Sequence, residues 1–259
     1  MDLAVDDPGG DGPLVVGLPV LGQSRAATAA ALSPALRGLG LREAYLDLPG
    51  HGDSRRTPRA TSQAVLDAVV AWLEPRGPAL LAGTSYGAYL AAGIARQRPD
   101  LVRGLLLVCP GVRLEQEDRD LPDLPPPSDD LGWLSDVPPW LRGHLDKALG
   151  HRTREVAAAV MAALESGGLG DQDFQDQLSG GPGYALPDED ADVVVDVPVA
   201  VVAGRQDRLV GYADQWRAMR HYPRGTNAVL DGAGHYLPFE QPALLRAVAH
   251  DWVRRVLAG

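Results

Sequence analysis

Short apolar runs alternate with longer amphipathic stretches along most of the chain. Six of these runs are bounded by turn-forming residues and have the length and composition of buried parallel strands. They cover residues 13–18, 42–48, 78–83, 103–109, 198–204 and 226–232.

Helical patterns fill the intervals between these runs. One pattern starts at Ser24, a second follows the capping pair Thr61 and Ser62, and a third, rich in alanine, follows Ser85. The last pattern has Pro242 near its first turn, a position that favours proline. Because strands and helices alternate, the sequence predicts an α/β fold, with a mostly parallel central sheet and helices on both faces.

The segment 111–197 interrupts this alternation, because it contains no clear strand. It opens with a proline-rich and acidic stretch, residues 115–130, and then shows helical patterns of its own. A connection of this length without secondary structure is uncommon in a compact domain. The sequence therefore predicts a core domain made of residues 1–110 and 198–259, and a helical lid made of residues 111–197 that is entered through a flexible linker.

Composition narrows the classes of partner. The chain has 259 residues, 45% of them hydrophobic, which is enough for a substantial core. The net charge of -10 disfavours nucleic acids and anionic membranes as partners, since both attract basic surfaces. No apolar stretch approaches the ~20 residues of a membrane-spanning helix. The first residues also lack the basic and apolar regions of a signal peptide. We therefore expect a cytoplasmic protein, a monomer or a homodimer, whose partner is a small-molecule substrate.

Metal and cofactor sites have little support in the sequence. Cys109 is the only cysteine, so neither an internal disulfide nor a cysteine-based zinc site can form. No His, Cys or acidic cluster has metal-ligand spacing, and no glycine-rich phosphate-binding motif follows a strand. The sequence predicts a protein without a metal or an organic cofactor.

Ser85 lies between Gly83 and Gly87, where a predicted strand meets an alanine-rich helical pattern. A strand, the pattern G-x-S-x-G and then a helix form the context of a nucleophile elbow. Glycines there let strand and helix approach closely, so the serine hydroxyl projects above the sheet. The competing interpretation is that Ser85 is an ordinary helix N-cap.

Two further residues favour the nucleophile. Asp207 follows the strand that ends at Gly204, and His235 follows the strand that ends near Gly232. Carboxyl ends of parallel strands share one edge of the sheet, which is where open α/β sheets bind ligands. An activated serine needs a base and an acid that orients the base, and the order Ser85, Asp207, His235 suits this fold.

The chain resembles the α/β-hydrolase fold family over most of its length, apart from the insertion. The resemblance rests on four stretches of sequence, which are DLPGHGDS, GTSYG, GRQDRLV and GAGHYLPFEQP. It implies a catalytic triad of Ser85, Asp207 and His235, and an oxyanion hole formed by the backbone N–H groups of Leu18 and Tyr86. His51 within DLPGHGDS looks structural in this family.

The sequence departs from the family in two places. The family often carries His-Gly at the end of the first central strand, and Val16 stands where that histidine would be. Because backbone amides act as the donors, the loss of this side chain need not abolish catalysis. The chain before this strand is also short, so we expect one or both of the family's leading antiparallel strands to be missing.

The insertion is expected to select the substrate. It offers apolar side chains as candidate pocket walls. These are Trp133, Trp140, Leu141, Met161 and Phe174. The insertion has no basic cluster, which favours a small neutral or apolar ester, lactone or amide over a strongly anionic substrate. Three alternatives stay open on the same fold, namely a C–C bond hydrolase, a lyase or cyclase, and a non-catalytic binding protein.

Overall fold

The structure is a computed structural model that describes residues 3–124, 128–129 and 132–259. In this part of the chain, seven strands form one central sheet. In chain order they are β1 (Val5–Asp6), β2 (Leu14–Leu18), β3 (Arg42–Leu46), β4 (Ala79–Thr84), β5 (Val102–Val108), β8 (Val199–Gly204) and β9 (Gly225–Leu230). Across the sheet the order is β1-β3-β2-β4-β5-β8-β9. Every neighbouring pair is parallel except β1 and β3.

The six strands predicted from sequence are all present, and their ends differ from the prediction by at most two residues. The α/β fold with a mostly parallel sheet is therefore confirmed. One leading antiparallel strand exists, because Val5 and Asp6 pair with Leu46 and Tyr45. This strand left no trace in the sequence, since two residues are too few for a hydrophobic pattern.

Nine α-helices occur among the described residues. They are α1 (Arg25–Leu36), α2 (Ser62–Leu73), α3 (Tyr86–Gln97), α4 (Pro139–Ala148), α5 (Arg154–Glu165), α6 (Gln172–Ser179), α7 (Ala213–Ala218), α8 (Leu237–Glu240) and α9 (Pro242–Ala258). Helices α1, α2 and α5 begin after Ser24, Thr61 and Thr153, each of which accepts a hydrogen bond from an amide in the first turn.

The core has two layers because successive strand residues point to opposite faces of the sheet. Leu81 of β4 is buried with Leu90 of α3 on one face. Its neighbour Leu80 is buried with Leu32 of α1 and Trp252 of α9 on the other face. Burial of the strands on both faces explains why they appear in the sequence as continuous apolar runs.

The segment 111–197 contains α4, α5 and α6. It also contains two strands of two residues each, β6 (Ser128–Asp129) and β7 (His151–Arg152), which pair in parallel. The sequence-based expectation of a segment without strands is wrong in this detail, because pairs this short leave no pattern. A third apolar cluster joins α4 and α5 to α8, whereas Phe174 and Leu178 of α6 belong to the main core. The division of the chain into a core and a lid stays a prediction.

The described part of the chain has no helix that combines the length and the apolar character needed to cross a bilayer.

The two tryptophans Trp252 and Trp216 provide a matched test of the core. Trp252 is fully buried and its Nε1–H donates to the carbonyl of Pro198 at 3.0 Å. We expect Trp252→Ala to lower the free energy of unfolding by about 3–5 kcal/mol, because it leaves a cavity between α9 and the sheet. Trp216 is 67% exposed, so Trp216→Ala should cost less than about 0.5 kcal/mol. Urea unfolding followed by far-UV circular dichroism measures both, and equal losses would contradict this picture of the core.

Candidate active site

Ser85 lies on a strained turn between β4 and α3. Its backbone has φ 55° and ψ -116°, in the left-handed region that costs a serine about 1–3 kcal/mol. Neighbouring backbone holds it there, because the Ser85 N–H donates to Val108 O at 2.9 Å and the Tyr89 N–H donates to Ser85 O at 3.0 Å. A strained residue that its surroundings fix in this way is typical of a functional position.

The glycines on either side of Ser85 are required by close packing. A Cβ atom at Gly83 would overlap the backbone of Gly87, and one at Gly87 would overlap the carbonyl oxygen of Leu18. The start of α3 is therefore packed directly against the ends of β4 and β2. This contact determines where the Ser85 side chain lies.

The Ser85 hydroxyl does not cap the helix that follows it. The side chains of Ser24 and Thr61 accept a hydrogen bond from the third residue beyond them, but Ser85 makes no such bond at the start of α3. The cap interpretation of Ser85 therefore has no support in the geometry.

Asp207 and His235 form a buried hydrogen-bonded pair. The Nδ1 atom of His235 lies 2.8 Å from Oδ2 of Asp207, and His235 and Asp207 are 5% and 0% exposed. The other carboxylate oxygen, Oδ1, accepts the backbone N–H groups of Leu209 and Val210 at 2.9 and 3.0 Å. These bonds fix the direction of the carboxylate, so that its Oδ2 faces Nδ1 of His235. The tautomer with its proton on Nδ1 would donate to Asp207 and leave Nε2 to accept a proton.

Cys109 lies close to this pair. It follows β5, has φ 43°, and its Sγ lies 3.5 Å from Gly234 O. Ligand atoms of Cys109, Asp207 and His235 lie within 4.8 Å of one another, which is the spacing of a metal site. However, burial raises the pKa of the Cys109 thiol well above its usual range, and Asp207 and His235 are already bonded to each other. The arrangement therefore suits an acid–base pair better than a metal centre.

The two predicted oxyanion donors flank the Ser85 turn. Tyr86 is the first residue of α3, and amides in a first helical turn have no acceptor within the helix. Its ring points away into the core, where the hydroxyl lies 2.8 Å from Ser62 Oγ and the ring stacks on Tyr184. Leu18 ends β2 beside Gly87. The role of these two amides stays a prediction.

The predicted pocket residues separate into two groups. Trp133, Leu141 and Met161 belong to the apolar cluster that includes Tyr236, which directly follows His235. Trp140 points to solvent with 79% of its surface exposed, and Phe174 packs in the main core. Three of the five thus belong to the same apolar cluster as the residue that follows the histidine.

The space next to His235 is small. A cavity of about 10 Å³ is lined by His235, Tyr236, Phe239 and Gln23 among others, which is room for one water molecule at most. A larger cavity of about 170 Å³ lies between α3, α7 and residues 189–195, and its lining includes none of the three triad candidates. The larger cavity is therefore separate from the triad candidates.

Two residues near Asp207 and His235 were missed from the sequence. Gln206 joins the loop of Asp207 to the loop of His235, because its Oε1 accepts the Ala233 N–H at 3.2 Å and its Nε2 donates to Asp231 at 2.7 Å. Glu240 of α8 is buried, with its carboxylate against backbone amides. Both lie inside stretches that carry the family resemblance, but their partners become visible only in three dimensions.

A model of the alpha/beta hydrolase family matches residues 17–248, nearly the whole chain. The chain belongs to this family. Among curated proteins, a pimeloyl-[acyl-carrier protein] methyl ester esterase of Neisseria meningitidis is 38% identical over 78 residues. That match covers 30% of this chain and only 24% of the esterase.

Solved structures of other proteins share this fold. An alpha/beta superfamily hydrolase from Oenococcus oeni has a TM-score of 0.87 and 23% identity, with 98% of this chain and 96% of that chain covered. A thermophilic esterase from Thermogutta terrifontis has a TM-score of 0.69 and 21% identity, with 98% and 93% covered. At these identities the two structures show a shared fold, and the family model carries the assignment to the alpha/beta hydrolases.

The close packing of α3 against β2 can be tested at Gly87. We expect Gly87→Ala to lower the free energy of unfolding by about 1–3 kcal/mol, because the new methyl group must push Leu18 and α3 apart. Gly143 lies in α4, and a Cβ atom there would meet no other atom within 4 Å, so Gly143→Ala should be neutral or stabilise by up to about 1 kcal/mol. Urea unfolding of both variants is the measurement, and an unaffected Gly87→Ala would exclude the close contact.

The buried carboxyl of Glu240 predicts a pH dependence of stability. Burial raises its pKa from 4.5 to about 7, against the lowering effect of three backbone hydrogen bonds. Because folding raises this pKa, the contribution of Glu240 to the free energy of unfolding is fully present below pH 4.5, the pKa in the unfolded chain. This contribution, about 3 kcal/mol, is lost as the pH rises through about 7.

Glu240→Gln should remove this contribution. We expect the difference in unfolding free energy between wild type and variant to change by about 3 kcal/mol between about pH 4.5 and pH 8, and to be flat above that range. Urea unfolding at a series of pH values measures the difference. A difference that does not vary with pH would show that Glu240 titrates normally.

Proposed function

We propose that this protein is a serine hydrolase that cleaves a small, neutral or apolar ester, lactone or amide through an acyl-enzyme. The observation that carries the proposal is the 2.8 Å contact between Asp207 and His235, at the sheet edge where Ser85 occupies a strained, uncapped turn. An acid that orients a base beside an elbow serine is the arrangement that activates a hydroxyl group.

In this mechanism the Nε2 atom of His235 removes the proton from Ser85 as the hydroxyl oxygen attacks the carbonyl carbon. Asp207 holds the imidazole in the required tautomer and stabilises the imidazolium. The amides of Leu18 and Tyr86 donate to the oxyanion, each worth about 3 kcal/mol of transition-state stabilisation. His235 then protonates the leaving group, and a water molecule activated by His235 releases the acid.

Two observations support the substrate class. The apolar cluster of Trp133, Leu141 and Met161 meets Tyr236 beside the histidine, which favours an apolar acyl or alcohol group. The curated relative, which matches 30% of this chain, is a methyl ester esterase. This favours an ester as the bond that is cleaved. A small molecule is then the partner of this protein, and no cofactor is needed for the reaction.

The experiment combines a series of p-nitrophenyl esters with a fluorophosphonate probe. Wild-type protein should hydrolyse short esters and be labelled at Ser85. Ser85→Ala should fold normally, lose labelling and lose at least ~10³-fold in kcat. Ser166 is an exposed serine whose hydroxyl bonds only its own helix end, so Ser166→Ala is the control and should keep full activity.

Each outcome separates one part of the proposal from another. Full esterase activity in Ser85→Ala would overturn the nucleophile assignment. Labelling of Ser85 without turnover of any ester would keep the nucleophile and overturn the substrate class, as expected for a C–C bond hydrolase or a lyase. An absence of both would favour a binding protein.

A further inference from the structure

The connection between α4 and α5 lies directly on the loop that carries His235. A Cβ atom at Gly234 would overlap the carbonyl oxygen of Ala148, and one at Gly150 would overlap the backbone of Ala233. The His235 N–H donates to Ala148 O at 2.6 Å. Two backbone segments about 85 residues apart in sequence therefore meet at the proposed general base. Bringing such distant segments together has an entropic cost.

Glu240 joins these two segments with one buried carboxylate. Its Oε1 atom accepts the N–H groups of Gly150 and His151 at 2.6 and 2.7 Å, and its Oε2 atom accepts the N–H of Gly234 at 2.8 Å. The residue is 7% exposed. Charge-assisted bonds to a carboxylate are short and stronger than bonds to a neutral acceptor, and a buried amide without an acceptor is costly.

These bonds hold the His235 loop together with those between Gln206 and Ala233 at the end of β8. Strand β9 ends at Leu230 and α8 begins at Leu237, so His235 lies outside any ladder. The Asp207 carboxylate holds the ring at Nδ1, whereas Ala148 accepts the N–H of His235 itself and Glu240 accepts the N–H of the preceding residue, Gly234. A displacement of about 1 Å at a catalytic group can cost about 10²-fold in rate.

We propose that Glu240 is a positioning residue for His235, which fastens the histidine loop to the α4–α5 connection so that the imidazole stays in line with both Asp207 and Ser85. This inference rests on the proposed function. Glu240 does not touch the substrate, and its effect reaches the reaction only through the position of His235.

The test is Glu240→Gln, which keeps the volume of the side chain but replaces one accepting oxygen with an NH₂ group that cannot accept. Assays are run near pH 8.5, where the wild-type carboxyl is ionised. We expect kcat for p-nitrophenyl esters to fall by roughly 10- to 100-fold while KM changes less than about 2-fold. Fluorophosphonate labelling of Ser85 should slow by a similar factor, and Glu240→Asp should recover part of the rate because it keeps the charge.

Asp47 provides the matched control for a purely structural loss. It is a buried carboxylate in the loop after β3 that accepts backbone N–H groups of Arg25 and Asp53 at 2.5 and 2.9 Å. Asp47→Asn should lower the free energy of unfolding and leave kcat within about 2-fold. If Glu240→Gln is destabilised yet keeps wild-type kcat, Glu240 only stabilises the fold and the proposal is overturned.

A second measurement does not depend on catalysis. The imidazole N–H shared by His235 and Asp207 gives a low-field proton resonance, which we expect to broaden or move in Glu240→Gln and to stay unchanged in Asp47→Asn. An unchanged resonance in Glu240→Gln would overturn the proposal even if Ser85→Ala had already contradicted the hydrolase mechanism. Should Glu240→Gln fail to fold, Glu240→Asp is measured in the same way against wild type.

Discussion

Backbone segments at the carboxyl edge of the sheet approach one another so closely that only glycine fits at several of their contacts. These glycines include Gly83, Gly87, Gly150, Gly204 and Gly234, and a Cβ atom at any of them would overlap main-chain atoms of a neighbouring segment. The contacts set the distances between β4 and α3, between β8 and the histidine loop, and between that loop and the α4–α5 connection. The geometry of the site is therefore fixed first by main chain and only then by side chains.

The same crowding explains where the backbone is strained. Ser85 and Cys109 are the residues other than glycine with positive φ in the described ranges, and each directly follows a central strand. Each of the two is held by the next strand across the sheet. The N–H of Ser85 donates to Val108 O of β5 at 2.9 Å, and the N–H of Cys109 donates to Val202 O of β8 at 2.8 Å. Strain of this kind persists only where several bonds determine the position. The elbow is thus a property of the whole sheet edge and not of five residues in G-x-S-x-G.

How much the sequence could predict depends on the range of the interaction. The strands of the core were predictable because burial on both faces makes a local apolar run. Ser85, Asp207 and His235 were identifiable because each follows such a run. The burial of Trp133 and the exposure of Trp140 depend on contacts between distant segments. So do the hydrogen bonds by which Gln206 joins two loops. Single-residue patterns carry no information about those contacts, and the two-residue strands β6 and β7 are too short to leave any pattern.

The α4–α5 connection and the end of α4 are hydrogen-bonded to the loop of Asp207 and to the loop of His235. These bonds limit how the site can open. On the acid side, Arg208 follows Asp207 and donates to the carbonyl of Asp146 near the end of α4. On the base side, Glu240 and Ala148 hold the loop of His235. Arg152 also bonds the Asp146 carbonyl at 2.6 Å, so cations compensate the negative end of this helix. A swing of this connection would break hydrogen bonds to both loops at once.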